Sequence, residues 1–294
     1  MASPILSPSD PDRDPLYHRL IREVGAVGLP AAGPAAPPPV TEAEVAGLPP
    51  VVRRYLEFMG VVGQPRVWSL SARFAGRFRL RPRLGWMPAQ AWQYNANPEI
   101  TRVFVMRVRL VGVIPMVGRD TYLHGHGHML GRLLDRMTVV DGHGEEFDIG
   151  ELTTYLNDAI LMAPSMLLTP ATNWNPVDDH TFEVCLTDAG RTVRARVFVD
   201  ERGAPYDFST TDRYAALPGG LVRAEWHTPV TDWHTVHGRA VPGRVAAVWH
   251  LPSGPLPYLT GRLTHLAHNV APPPPAGAEA TAQPAPDHPH HGKP

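Results

Sequence analysis

Leu70-Ser71-Ala72-Arg73-Phe74-Ala75-Gly76-Arg77-Phe78-Arg79-Leu80 carries the plainest structural signal in the chain. Its apolar or small residues, Leu70, Ala72, Phe74, Gly76, Phe78 and Leu80, alternate with Ser71, Arg73, Ala75, Arg77 and Arg79. Successive side chains of a strand point to opposite faces, so a sustained period of two predicts a long antiparallel strand with one buried face. Similar runs follow at 88–96, 102–111, 120–129 and 133–140, separated by breaks containing Gly, Pro or Asn, and a meander connects them most simply.

The second half returns to hairpins. Thr181 to Leu186 leads through Thr187-Asp188-Ala189-Gly190 into Thr192 to Val199, and further strands are expected at 205–213, 221–228, 232–237, 244–251 and 257–268. From these twelve candidate segments a sheet of about ten strands is expected, enough that it must curl or split. Between the halves, Asp148 to Leu161 reads as a helix with Ile149, Leu152, Tyr155, Leu156 and Ile160 on one side, Asp148 as its N-cap and Glu151 in its first turn. Upstream, Thr41 and Glu44 have capping-box spacing, and Pro50 opens a helix whose stripe is Val51, Val52, Tyr55, Leu56 and Met59 before Gly60 ends it. The expected fold is α+β: a large, strongly curved antiparallel sheet, half-barrel-like, with N-terminal helices and one central helix packed against it.

Three regions follow. Residues 1–40 hold a short amphipathic helix (Leu16, Leu20, Ile21, Val24 and Val27) and a Pro/Ala-rich linker, 41–270 form a single curved-sheet domain, and 271–294 are a Pro- and His-rich tail expected to be disordered. With 27 basic residues against 28 acidic ones and no block of like charge, a general attraction to nucleic acid or anionic lipid has no support. The single cysteine, Cys185, excludes an intramolecular disulfide and any metal site made of cysteines from this chain alone. The start shows no basic stretch followed by an apolar one, and apolar runs such as Ala159 to Leu168 are shorter than the roughly 20 residues that span a bilayer. A cytoplasmic protein without a membrane span is expected.

Order of motifs adds a resemblance. Leu48-Pro49-Pro50-Val51-Val52-Arg53-Arg54-Tyr55-Leu56 is followed by Gly76-Arg77-Phe78-Arg79, by Trp86-Met87-Pro88-Ala89-Gln90-Ala91-Trp92-Gln93, by Gly118-Arg119-Asp120 and by Gly125-His126-Gly127. Gly150-Glu151-Leu152, Tyr155-Leu156 and Trp174 complete the series. Over residues 45 to 268 this resembles an uncharacterised bacterial family, a domain of unknown function, from which the chain departs in having Asp158 and Leu161 where Glu and Trp are usual. The general plan is similar to half-barrel lipoprotein carriers, in which a curved sheet and helices enclose a greasy cavity; that similarity is one of fold only.

Several chemistries are excluded or weakened by what the motifs lack. There is no Gly-x-Ser-x-Gly, no phosphate-binding Gly-x-x-x-x-Gly-Lys-Ser/Thr and no His-Glu-x-x-His. His124, His126 and His128 share a strand face at about 7 Å spacing, too far apart for all three to converge on one ion without a bulge, so no metal and no cofactor is expected. The remaining signal is aromatic and methionine side chains on strands, which suit an adaptable apolar site. Trp86, Trp92, Phe104, Met106 and Trp249 are the expected walls, and Arg119, Asp120 and Glu151 the polar anchors, of a cavity enclosed by the sheet. The expected partner is an apolar or amphipathic small molecule, with no catalytic residue assigned. An enzyme using Asp120, Glu151 or the three histidines in the same cavity, or an interaction scaffold with no ligand, are the alternatives.

Overall fold

In the computed structural model, the alternating stretch is β1 (Ser69–Phe78) and leads a meander of β2 (Met87–Ala96), β3 (Thr101–Leu110), β4 (Ile114–Leu123), β5 (His126–Leu133) and β6 (Met137–His143). The structure describes residues 37–271 other than 80–84, 98, 111–113, 135 and 218, together with His18, Arg19, Arg22 and Ala26. The apolar positions of the expected first helix and all of the tail beyond 271 lie outside the described residues.

After the meander come a long helix and a second set of strands: β7 (Thr172–Asp178), β8 (Thr181–Asp188), β9 (Arg191–Val199), β10 (Pro205–Thr210), β13 (Glu225–His227), β14 (Val230–Val236), β15 (Arg239–Leu251) and β16 (Gly254–His268). The hairpin β11 (Tyr214–Leu217) and β12 (Gly220–Arg223) stands apart as a second, two-stranded sheet. The main sheet is antiparallel and 14-stranded, in the order β6-β5-β4-β3-β2-β1-β16-β15-β13-β10-β9-β8-β7, with β14 paired to β15 beside this path. The expected class is right and the strand count too low. Asn173, Asn175 and Pro176 give β7 no apolar alternation; it is a strand because it pairs with β8 at the sheet edge, where proline is tolerated.

The N-terminal helices match their sequence signals. In α1 (Glu42–Val45) the Thr41 backbone N–H donates to Glu44 Oε2 at 2.8 Å, and α2 (Pro50–Phe58) buries Val51, Val52, Tyr55 and Leu56. The central helix α3 spans Glu145–Met162, three residues earlier than expected, because Gly144 at φ 103° forms the cap. Asp148 is therefore inside the first turn. Its carboxylate accepts the Gly127 N–H at 2.7 Å and pairs with Arg191 at 2.6 Å, tying the helix start to β5 and β9.

Those two strands lie on opposite arms of the sheet, so the sheet curls around α3. Leu152, Tyr155, Leu156 and Ile160 are fully buried there, in one core with Tyr55, Phe182 and Phe208. A side chain at Gly127 would place Cβ 2.1 Å from the Phe147 carbonyl oxygen; glycine is what lets the helix backbone touch β5. A second apolar cluster, Trp92, Tyr94, Ala96, Val103 and Val105, is buried on the opposite, outer side of β2 and β3. Among the described residues no helix is long and apolar enough to cross a membrane.

Candidate functional site

Register defines the inner face. On β3, Arg102 lies opposite Asn95 and Tyr122, and Phe104 opposite Gln93 and Asp120, all on the side toward α3. Glu151 and Asp158 are seven residues apart on α3, two turns and hence one helix face. Arg102 joins them, its Nη1 2.8 Å from Glu151 Oε2 and its Nε 2.8 Å from Asp158 Oδ2. The Gln93 and Asn95 amides donate to the same Asp158 oxygen at 2.6 and 3.1 Å. A buried charge needs such partners, and this guanidinium has two carboxylates.

Asp120 completes the ionic cluster. Burial pushes its carboxyl up, against the pull of Arg102, Arg213 and Arg119. Burial, then the neighbouring Asp120 charge, pushes Glu151 up to about 7. Two adjacent carboxyls thus compete for ionisation around shared arginines.

Arg213 approaches from the other arm of the sheet. Its guanidinium carbon lies 4.3 Å from the Trp226 ring centroid and 5.6 Å from that of Trp249, aromatic neighbours that face each other across β13 and β15. Trp226 Nε1 donates to the Tyr258 hydroxyl at 3.1 Å, and Trp249 stacks on Tyr258 at 19°. Among the described residues Arg213 forms no direct ion pair, and its Nε is buried without a hydrogen-bond partner. Between this aromatic wall and β3–β5 lie Phe104, Met106, Met116 and Met129, all half-buried on the inner face. Gly118, flanked by Met106 and Gly131, has open space where its Cβ would be.

The inner face is thus a trough with an ionic floor, an aromatic wall and one arginine that has no ion-pair partner among the described residues. Five expected site residues share it: Phe104, Met106, Asp120, Glu151 and Trp249. Two do not. Trp92 is 3% exposed in the outer cluster beneath the Arg73 guanidinium, 4.4 Å away, and Arg119 bonds to His128 Nδ1 at 2.8 Å on the outer face. Strand parity explains both, since Arg119 adjoins the inward Asp120, and Trp92 adjoins the inward Gln93. Trp86 precedes β2, with the Arg79 guanidinium 4.8 Å over its ring.

His124, His126 and His128 go to three separate carboxylates, Glu99 at 2.5 Å, Asp148 at 3.6 Å and Asp141 at 2.8 Å, and do not converge. Two depressions of about 570 and 430 Å³, one beside Pro39 and Gly63 and one beside Gly76 and Pro229, are open to solvent and touch none of the eight expected residues. Neither depression coincides with the expected cavity, whose Phe104 and Met106 are half-buried on the concave face.

The order of motifs over the body of the chain has a direct counterpart: residues 38–261 match the model of a family of unknown function, DUF6544. The chain belongs to that family. No curated protein matches it. Among solved structures, a LolA superfamily protein from Nitrosomonas europaea is similar at 12% identity and a TM-score of 0.41, over 74% of this chain and 91% of that one. A putative outer membrane lipoprotein-sorting protein domain from Vibrio parahaemolyticus shows 8% identity and a TM-score of 0.35, over 68% and 85% of the two chains. A DUF1329 family protein from Desulfovibrio piger shows 10% identity and a TM-score of 0.41, over 79% and 95%. Likenesses this distant carry no argument about what this family member binds.

Arg102, Asp158, Arg213 and Tyr258 join the site although none of them was expected there from the sequence. The spacing of Glu151 and Asp158 is a usable signal, because two acids two turns apart share one helix face, and once that face is buried they need a cation. Arg213 had none, because arginine supplies all but one of the 27 basic residues and no single one stands out.

Proposed function

We propose that this protein binds an amphipathic small molecule with an acidic head, a carboxylate or phosphate, along the concave trough. The apolar part lies against Phe104, Met106 and Met129, and the head meets Arg213 beside Trp226 and Trp249. The observation that carries the reading is Arg213 itself, a half-buried guanidinium stacked on indole, with a buried donor unpartnered and no carboxylate bound to it. Arginine in that state offers a charge-assisted hydrogen bond to an arriving anion. Glu151 is 2% exposed and held by Arg102, which makes it part of the floor.

Titration with dodecanoate and dodecyl phosphate, followed by tryptophan fluorescence, tests the proposal. Saturable binding of one molecule per chain is expected, weakened about tenfold or more in Arg213→Gln, the scale of a lost hydrogen bond to a charged group. Equal affinity for uncharged dodecanol, or an unchanged affinity in Arg213→Gln, would refute it.

A further inference from the structure

The reverse side of the aromatic wall carries a different chemistry. Because Trp226 and Trp249 point inward, their strand neighbours Glu225, His227 and His250 point outward. Glu225 lies directly opposite His250 in the β13–β15 pairing, and His227 is two residues along β13 on the same face. One donor atom from each of the three lies within 4.8 Å of the others. His227 Nε2 is 3.2 Å from Glu225 Oε1, and the His227 and His250 rings lie 4.1 Å apart, tilted by 30°.

A fourth residue sets the orientation of His227. Asp207 on β10 places Oδ2 2.6 Å from Nδ1, which fixes that nitrogen as the donor and directs Nε2 toward Glu225 and His250. Nε2 is buried and makes no well-aligned hydrogen bond. Carboxylate-held imidazole with its far nitrogen turned to a second imidazole and a carboxylate is the arrangement by which proteins prepare a histidine for a metal.

We propose that Glu225, His227 and His250 form a site for a divalent transition-metal ion, zinc being the expected occupant, with Asp207 as the positioning residue behind His227. Two imidazoles and a carboxylate suit borderline ions of the zinc class. Tetrahedral zinc at about 2.0–2.1 Å from each ligand sets the donors about 3.3 Å apart. His227 and Glu225 already meet that spacing. The exposed His250 must turn its ring so that a nitrogen lone pair meets the ion, and the fourth position is left to water. The location gives the ion a task. Three-residue β13 pairs with β10 at Ser209 and Thr210, with the Thr228 N–H donating to the Phe208 carbonyl just beyond, and it links the β7–β10 arm to the rest of the sheet. A metal would fasten β13 to β15 on one side, and the Asp207–His227 hydrogen bond carries that anchorage across to β10 on the other.

The test uses the full chain, untagged, with His288, His290 and His291 replaced by alanine so that the tail offers no competing imidazoles. Titration with zinc alone is followed by calorimetry, and cobalt substitution by visible absorption. One ion per chain is expected, with a raised unfolding temperature and the d–d bands of a low-symmetry four-coordinate site. His250→Ala and Glu225→Gln, both at exposed positions, should each weaken binding at least tenfold, and Asp207→Asn about 10–100-fold. Absence of stoichiometric zinc, or binding that survives His250→Ala unchanged, would overturn the proposal and leave His227 as a histidine ion-paired with Asp207 and Glu225.

Discussion

Glu151 and Asp158 stand on one face of α3 and are bridged by the single guanidinium of Arg102, which lies 2.8 Å from a carboxylate oxygen of each. Replacing Arg102 with alanine leaves both acids buried without their cation, beside Asp120. Breaking a buried pair in this way costs about 3–5 kcal/mol, read as a shift in the urea unfolding curve. The sign of the pH dependence follows from Glu151, held at about 7 in the fold against an ordinary 4.5. A carboxyl with a raised folded value supports the fold below its unfolded value, and that support is lost as pH rises through 7. The variant should therefore be more defective at pH 8 than at pH 5. A loss under 1 kcal/mol at both would show that the cluster is hydrated and weakly coupled.

Leu156→Ala empties a fully buried position on the side of α3 that packs into the main core. The expected cost is about 2–5 kcal/mol in denaturant unfolding, and a variant as stable as the parent would mean that the sheet does not close on the helix.

Gly127→Ala tests the seating of the helix start. Its Cβ would meet the Phe147 carbonyl oxygen at 2.1 Å and the Asp148 nitrogen at 2.8 Å, both backbone atoms, so either α3 or β5 must move. We expect a loss of about 1–3 kcal/mol, measured by thermal or urea unfolding. Gly118→Leu is the matched control on the same inner face, where nothing crowds the added carbon. It should keep the fold while projecting into the trough, and abolish dodecanoate binding; retention of full affinity would place the ligand elsewhere.

His268 supplies an acid-sensitive term. Burial pushes it down to about 4 from 6.5, and its Nε2–H donates to the Met162 carbonyl at 2.9 Å. The fold requires the neutral ring, so on acidification the unfolded chain takes up the proton first. Its contribution is complete above pH 6.5 and is lost as pH falls toward 4, by up to about 3 kcal/mol. His268→Gln should flatten this part of the pH profile relative to the parent, and parallel profiles for the two proteins would contradict the assignment.

Much of this architecture was legible because strand parity and helix periodicity are local properties. The alternation from Leu70, the capping box at Thr41 and Glu44, and the apolar side of α3 each read correctly without knowledge of a partner. What depends on distant pairing did not. β7 exists through β8, and β13 is three residues held between β10 and β15. Trp92 and Phe104 are both large and aromatic, and β2 and β3 bury apolar side chains on both faces, so residue type could not say which belonged to the trough. Arg213 gains its meaning only where the curled sheet brings it over Trp226 and Trp249. Glu225, Trp226 and His227 show the outward–inward–outward pattern in sequence, but His250 joins them only through the β13–β15 register.

The trough itself is tested most directly by diffraction from crystals grown with 12-bromododecanoate. Carboxylate density at the Arg213 guanidinium and an anomalous bromine peak on the inner face, beside Phe104, Met106 or Met129, are expected. Bromine on the outer face near Trp92, in either open depression, or at no ordered position would contradict binding in the trough.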